Sequence, residues 1–270
     1  MKGIRSMKIY EIVNGENKRS VGVLLYYEKK KEFIVELQED LDEWTAPLLF
    51  SELVKNHIYT MPRTMSYLWV KERVIPSGRQ NISQILKNQK METYDEMKFL
   101  ELAHGKCAQD SLYIRKIDEV PRYVSDRKKS VTDCVACEHH RILCFFSDHS
   151  VKKINLRNFT DVDGISKVLK NEMLYQSCMV GTGGYFITFN DAIDIPSAML
   201  YERGEHLSLT PDDFICFAKR NLLDTPESCD LLECSRQNIS YLVKKKQIQP
   251  IKEDIKGTLY LKGDVLRQTW

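Results

Sequence analysis

The strongest constraint on how this chain can fold lies between Leu223 and Trp270. Thr225-Pro226-Glu227 reads as a helix start. Thr is a good N-cap, Pro suits the first helical position, and Glu sits where the helix dipole favours negative charge. Cys229 and Leu232 then fall three apart on one face, and a turn is expected at Glu233-Cys234. Ser235 can cap a second helix whose buried stripe is Ile239, Leu242 and Val243, spaced i, i+3, i+4. Gln249 to Glu253 and Thr258 to Leu261 are short strand-like runs around Asp254-Ile255-Lys256-Gly257, a hairpin pattern. Gly263-Asp264 can open a last helix carrying Val265, Leu266 and Trp270.

The buried stripe leaves Arg236, Gln237, Ser240, Tyr241 and Lys244 on the solvent side of the second helix. Arg and Gln near a helix N-terminus are the residue types that fork onto guanine and adenine in a major groove. Lys244-Lys245-Lys246 complements the negative helix end and can lie along phosphates. Charge changes sign at the same place. Glu205 to Cys234 holds seven acids and two bases, net −5, whereas Ser235 to Trp270 holds eight bases and three acids, net +5.

The segment from about Leu223 to Trp270 resembles the MerR/excisionase-type winged helix-turn-helix family of bacteria and phages. The residues that carry the resemblance are Thr225-Pro226-Glu227, Cys229, Leu232, Cys234 to Ile239, the lysine-rich helix end and Leu259-Tyr260-Leu261. It departs at the turn, where Glu233 stands in place of the common Gly. The resemblance implies double-stranded DNA as partner. Arg236, Gln237, Ser240 and Tyr241 are then the expected base-edge contacts, and Ser235, Lys244, Lys245, Lys246, Lys252 and Lys256 the backbone contacts. One small helix pair covers too little DNA for a specific site, so a homodimer is expected.

Length and composition bound the rest. A chain of 270 residues can hold two or three domains. Its formal net charge of +2 makes no global case for nucleic acid, so any electrostatic attraction must be local. No apolar run reaches the ~18 residues of a spanning helix, and Met1 to Met7 lacks the apolar core of a signal peptide. Eight cysteines without an export signal suggest reduced thiols in a cytoplasm. The expected fold class is α+β and multidomain: an α+β N-terminal domain over 1–125, a small α+β domain over 130–203, and the winged module over 205–270.

In the N-terminal domain, Lys8 to Val13, Val21 to Tyr27 and Glu32 to Leu37 read as a strand meander. Helical patterns follow over Asp42 to Lys55, Thr64 to Arg73, Asn81 to Gln89 and Thr93 to His104, with Gly105 as a stop and Leu112-Tyr113-Ile114 as a further strand. Arg73, Arg79, Gln80 and Asn81 near Trp69 admit a second nucleic-acid surface, or ordinary caps and surface charge. In the middle domain, strands are expected over Arg141 to Phe146, Val151 to Ile154, Ser177 to Val180 and Tyr185 to Phe189. A helix is expected over Val162 to Lys170, and Asp194-Ile195-Pro196 opens another. This stretch resembles a small family of bacterial domains without an assigned function, some of which precede a helix-turn-helix or lie beside toxin-antitoxin components. Leu143 to Asp148, Asn155-Leu156 and Ile187 to Asn190 carry that resemblance. It implies a regulator with a possible protein partner through the N-terminal or middle domain. Further on, Thr210 is expected to cap a helix starting at Pro211, with Asp213 completing the box and Phe214, Phe217 and Ala218 as its apolar face.

Catalytic and metal chemistry find little support. Cys134, Cys137, His139 and His140 have ligand chemistry, but all four lie within seven residues, and neighbouring residues of a strand point to opposite sides. A surface strand with incidental thiols is the simpler expectation. Gly181 to Gly184 runs into Tyr185-Phe186-Ile187 without the Lys-Ser/Thr of a phosphate loop, so a hairpin turn is expected. No cofactor and no enzymatic activity are expected. The chain reads as a sequence-specific transcriptional regulator of a bacterium or phage; the alternatives are an antitoxin-like protein partner and an excisionase-like recombination factor.

Overall fold

In the computed structural model, residues 7–127, 129–206, 211–255 and 257–270 are described. Helices and antiparallel sheets in several small groups make this an α+β fold. The chain forms two compact units, Met1–Arg127 and Lys128–Trp270. No helix among the described residues is long and apolar enough to cross a membrane.

In the first unit the three apolar runs form the expected meander: β1 (Met7–Asn14), β2 (Ser20–Tyr27) and β3 (Glu32–Leu37). A fourth strand, β4 (Leu112–Ile117), pairs with β1, giving the antiparallel order β3-β2-β1-β4. Three helices, α1 (Leu48–Lys55), α2 (Arg63–Lys71) and α4 (Glu96–Leu102), bury Phe50, Leu53, Val54, Trp69, Val70, Met97 and Leu100 in one core with Tyr10, Ile12, Leu24 and Val35 of the sheet. Between them α3 (Ile82–Asn88) buries no residue, and α5 (Arg122–Arg127) ends the unit.

Helix α1 begins at Leu48, not at Asp42 as expected. Asp42 Oδ1 instead accepts from the N–H groups of Trp44 and Thr45, at 2.9 and 2.7 Å, and Pro47 then precedes the helix. Short polar side chains compete with a helix for local backbone donors in this way. Arg73 also departs from the surface reading. Its side chain is buried, stacks 4.0 Å from the Trp69 ring centroid and pairs with Asp110, so it presents nothing to a nucleic acid.

The second unit contains β5 (Val131–Cys137), β6 (Arg141–Phe146) and β7 (Val151–Asn155), with the short β11 (Glu205–His206) at the edge, in the order β11-β7-β6-β5. A second sheet has the order β10-β9-β8, from β8 (Cys178–Val180), β9 (Phe186–Phe189) and β10 (Ile193–Pro196). Both sheets contribute to one core, with Cys134, Ile142 and Cys144 from the first and Cys178, Ile187 and Phe189 from the second. Gly181 to Gly184 is the expected turn between β8 and β9, where Gly181 N–H donates to Phe186 O at 2.8 Å.

Three expectations for this stretch are corrected. Residues 131–137 form a buried strand, not a surface one: one side carries Cys134 and Ala136 into the core, and the other carries Val135 and Cys137 under a helix. The helix expected over 162–170 is short, α6 (Ile165–Val168), because Asn171 caps a separate α7 (Glu172–Gln176) by accepting from Leu174 N–H at 3.1 Å. Asp194-Ile195-Pro196 pairs with β9, and helix α8 (Ser197–Arg203) starts only after it.

The covering helix is α9 (Pro211–Asn221). Its docked face is Asp213, Cys216, Phe217 and Asn221, spaced as one helical stripe. Asp213 pairs with Lys153 at 3.1 Å, and the Phe217 ring lies 4.8 Å from that of Phe145. Phe214, expected on the apolar face, is 63% exposed. Lys153 and the sheet select Asp213 for burial, which turns its neighbour Phe214 outward. Thr210, the expected cap, lies outside the described residues.

Candidate nucleic-acid interface

After α9 the chain forms β12 (Leu222–Leu223), α10 (Thr225–Leu232), α11 (Arg236–Lys244), the hairpin β13 (Pro250–Ile255) and β14 (Gly257–Leu261), and α12 (Lys262–Leu266). Helix α10 is capped by Asp224, one residue before the expected Thr225. Asp224 Oδ1 accepts from Glu227 N–H, and Glu227 Oε2 accepts from Asp224 N–H, each at 2.8 Å. This reciprocal capping box satisfies two donors that the first helical turn leaves open.

The turn between the helices follows from backbone hydrogen bonds. Cys234 N–H donates to Cys229 O at 3.0 Å, Glu233 N–H donates to Asp230 O at 3.3 Å, and Glu233 has φ 50°. That is a Schellman stop, whose left-handed residue is most often Gly. The Glu that replaces the common Gly therefore occupies the left-handed position itself. A second stop of the same kind ends α11, with Lys246 at φ 57°, Gln247 N–H on Leu242 O at 3.0 Å and Lys246 N–H on Val243 O at 2.9 Å.

Helix α11 buries Ile239 and Leu242 against Ile248, Tyr260 and Val265, with Val243 packed at the margin. The expected contact residues Arg236, Gln237, Ser240, Tyr241, Lys244, Lys245 and Lys246 are all exposed, as is Ser235 at the N-cap position. Ser235 makes no side-chain cap bond, so its hydroxyl is open to another partner. At about 100° per residue, Gln237, Ser240, Tyr241 and Lys244 lie at the centre of the exposed side and Arg236 at its margin. Ser240 Oγ donates to Arg236 O at 3.2 Å, and Lys245 Nζ lies 5.6 Å from the Tyr241 ring centroid. Asn238, which was not among the expected contacts, is exposed beside Gln237.

The hairpin pairs Pro250 with Tyr260 and Lys252 with Leu259, and β12 joins it along β14. Lys252 is exposed; Lys256 lies outside the described residues. Among the described residues, Arg236, Lys244, Lys245, Lys246 and Lys252 form no ion pair with a carboxylate. Five cations thus stand open to solvent on α11, its C-terminal stop and the hairpin.

This assembly is held to the sheet through Asp133, a connection sequence pattern did not suggest. Asp133 Oδ1 accepts from Cys134 N–H at 2.9 Å and from Asn221 Nδ2 at 2.5 Å, and Oδ2 accepts from Gly263 N–H at 3.2 Å. Burial pushes this carboxyl up to about 7, against the pull of the Cys134 and Gly263 N–H groups and of Lys262 and Arg267. Arg267 ties the same place by donating to Thr132 O at 3.0 Å while pairing with Asp264.

The four residues with metal-ligand chemistry do not converge. Cys134 Sγ lies 3.8 Å from Cys178 Sγ on one side of β5, and Cys137 Sγ lies 3.3 Å from Cys216 Sγ on the other. His139 and His140 sit in the turn beyond, both at positive φ. Among the described residues no three of His, Cys, Asp or Glu are grouped to hold a metal ion.

No protein-family model matches the chain, and no curated protein or solved structure matches it.

Proposed function

We propose that this chain is a DNA-binding transcriptional regulator of winged helix-turn-helix type, of a bacterium or phage, acting in the cytoplasm as a homodimer and without catalytic activity. The observation that carries the reading is the exposed side of α11. Gln237, Ser240, Tyr241 and Lys244 face solvent together, and the unpaired cations continue through Lys245 and Lys246 to Lys252 on the hairpin. A helix of this kind fits a major groove, where amide and guanidinium groups read base edges. The flanking lysines would neutralise phosphates and release counterions. Ser235 and Lys256 complete the proposed backbone contacts.

Selection of bound fragments from random double-stranded DNA at two salt concentrations tests the proposal. An enriched motif, with affinity falling as salt rises, supports it. Binding with no motif and no salt dependence would remove it.

A further inference from the structure

A second feature lies where α9 crosses β5. Cys216 Sγ lies 3.3 Å from Cys137 Sγ, across 79 positions of sequence. Both sulfurs belong to a satellite apolar cluster with Val135, Leu143, Phe145 and Phe217. The two backbones are held in place independently of the thiols. Lys153 pairs with Asp213 on the turn before Cys216, the Phe217 ring packs at a tilt against Phe145 beside it, and Asn221 bonds Asp133 one turn later. The sulfurs therefore meet between elements fixed by other contacts, and closing a bond requires them to approach from 3.3 Å to about 2.05 Å.

The two thiols are not equivalent. Cys137 is buried, and burial pushes its thiol up to about 12, so it is almost entirely protonated at neutral pH. Cys216 is only partly buried, which makes it the more accessible member of the pair. Accessible thiols are oxidised first, and a neighbouring thiol then resolves the product.

We propose that Cys216 and Cys137 form a peroxide-oxidisable dithiol that closes to a disulfide between α9 and β5. Hydrogen peroxide oxidises the Cys216 thiol to a sulfenic acid, with release of one water. The Cys137 sulfur then attacks the Cys216 sulfur. The S–OH bond breaks, an S–S bond forms, and the hydroxyl leaves with the Cys137 proton as a second water. Two thiols are oxidised by two electrons, and one peroxide is reduced. The product pins the helix that leads into β12 and α10. The nearby pair Cys134 and Cys178 is wider at 3.8 Å and has no exposed member, so it should stay reduced. This inference does not depend on what α11 binds.

The test treats the full reduced chain with stoichiometric hydrogen peroxide, quenches with an alkylating agent, and reads intact mass and non-reduced peptide maps. The expected result is a loss of two mass units, two fewer alkylatable thiols after unfolding, and one linked peptide joining Cys137 to Cys216. The oxidised chain should melt several degrees higher than the reduced one, a shift reversed by reductant and missing in both Cys216→Ser and Cys216→Ala. The wild-type peptide map needs no variant, so poor folding of a mutant leaves the test intact. A bridge mapped to another pair, or Cys216 recovered as an unlinked oxygenated thiol, would overturn the proposal.

Discussion

Replacing Glu233 with glycine should stabilise the unit of residues 128–270. Glu233 holds φ 50° and ψ 45°, the left-handed position of the stop that ends α10. That conformation costs a non-glycine L-residue about 1–2 kcal/mol. A negative side chain at a helix C-terminus adds about 0.3 kcal/mol or more. Glycine returns part of the gain, about 0.4–1 kcal/mol, because its unfolded chain has more freedom to lose. The difference is a stabilisation on the order of 1 kcal/mol. For a unit of this size that corresponds to a rise of about 3–4 °C in the melting temperature. Calorimetry of the full chain should place the variants in the order Gly, then Asn, then Ala, with Ala close to the parent. Asn tolerates the left-handed region better than other side chains, and Ala removes the charge while keeping the strain. If Glu233→Ala equals or exceeds Glu233→Gly, backbone strain is not the source and the reasoning fails.

Other substitutions separate roles within the same unit. On its specific site, Arg236→Ala should cost about 1–3 kcal/mol and relax base choice, whereas Lys245→Ala should weaken all sequences alike and lower the salt slope by about one; equal losses on specific and random DNA from both would remove Arg236 as a reader. For Asp133, the unfolded carboxyl ionises near 3.8 while the folded one keeps its proton to about 7. Its contribution is therefore full below about pH 4 and is lost as pH rises toward 7, at a slope of at most about 1.4 kcal/mol per pH unit. Asp133→Asn should lower stability overall and flatten denaturation midpoints measured from pH 4 to 7; an unchanged slope would exclude Asp133 as its origin. Phe217→Ala should cost about 2 kcal/mol through lost burial against Phe145, and hydrogen exchange should rise in α9 before it rises in β8 and β9. Uniform exchange along the unit would count against a separately docked helix.

Much of the local structure could be read directly from residue order. The apolar runs from Lys8 to Leu37 became β1 to β3, buried along almost their whole length, because short runs rich in β-branched and aromatic residues between turn residues fit a covered sheet. Ile239 and Leu242 pointed inward because one helical face must be covered, and that choice alone turned Gln237, Ser240, Tyr241 and Lys244 outward. Gly181 to Gly184 became a turn for equally local reasons. Misplaced boundaries had local rivals: Asp42 drew two backbone donors into a turn, and Asp224 captured the cap expected at Thr225.

What residue order could not reveal was which surfaces would be covered twice. Val131 to Cys137 looks like a surface strand until α9, some eighty residues later, closes its second face. Asp133, Asn221 and Gly263 are unremarkable apart, yet together they join sheet, helix and hairpin assembly. The thiols of Cys137 and Cys216 meet by the same docking. Short-range pattern reports how one element divides its faces between water and protein. Which distant element supplies the protein is decided only when the whole chain packs, because burial depends on neighbours in space and not in sequence.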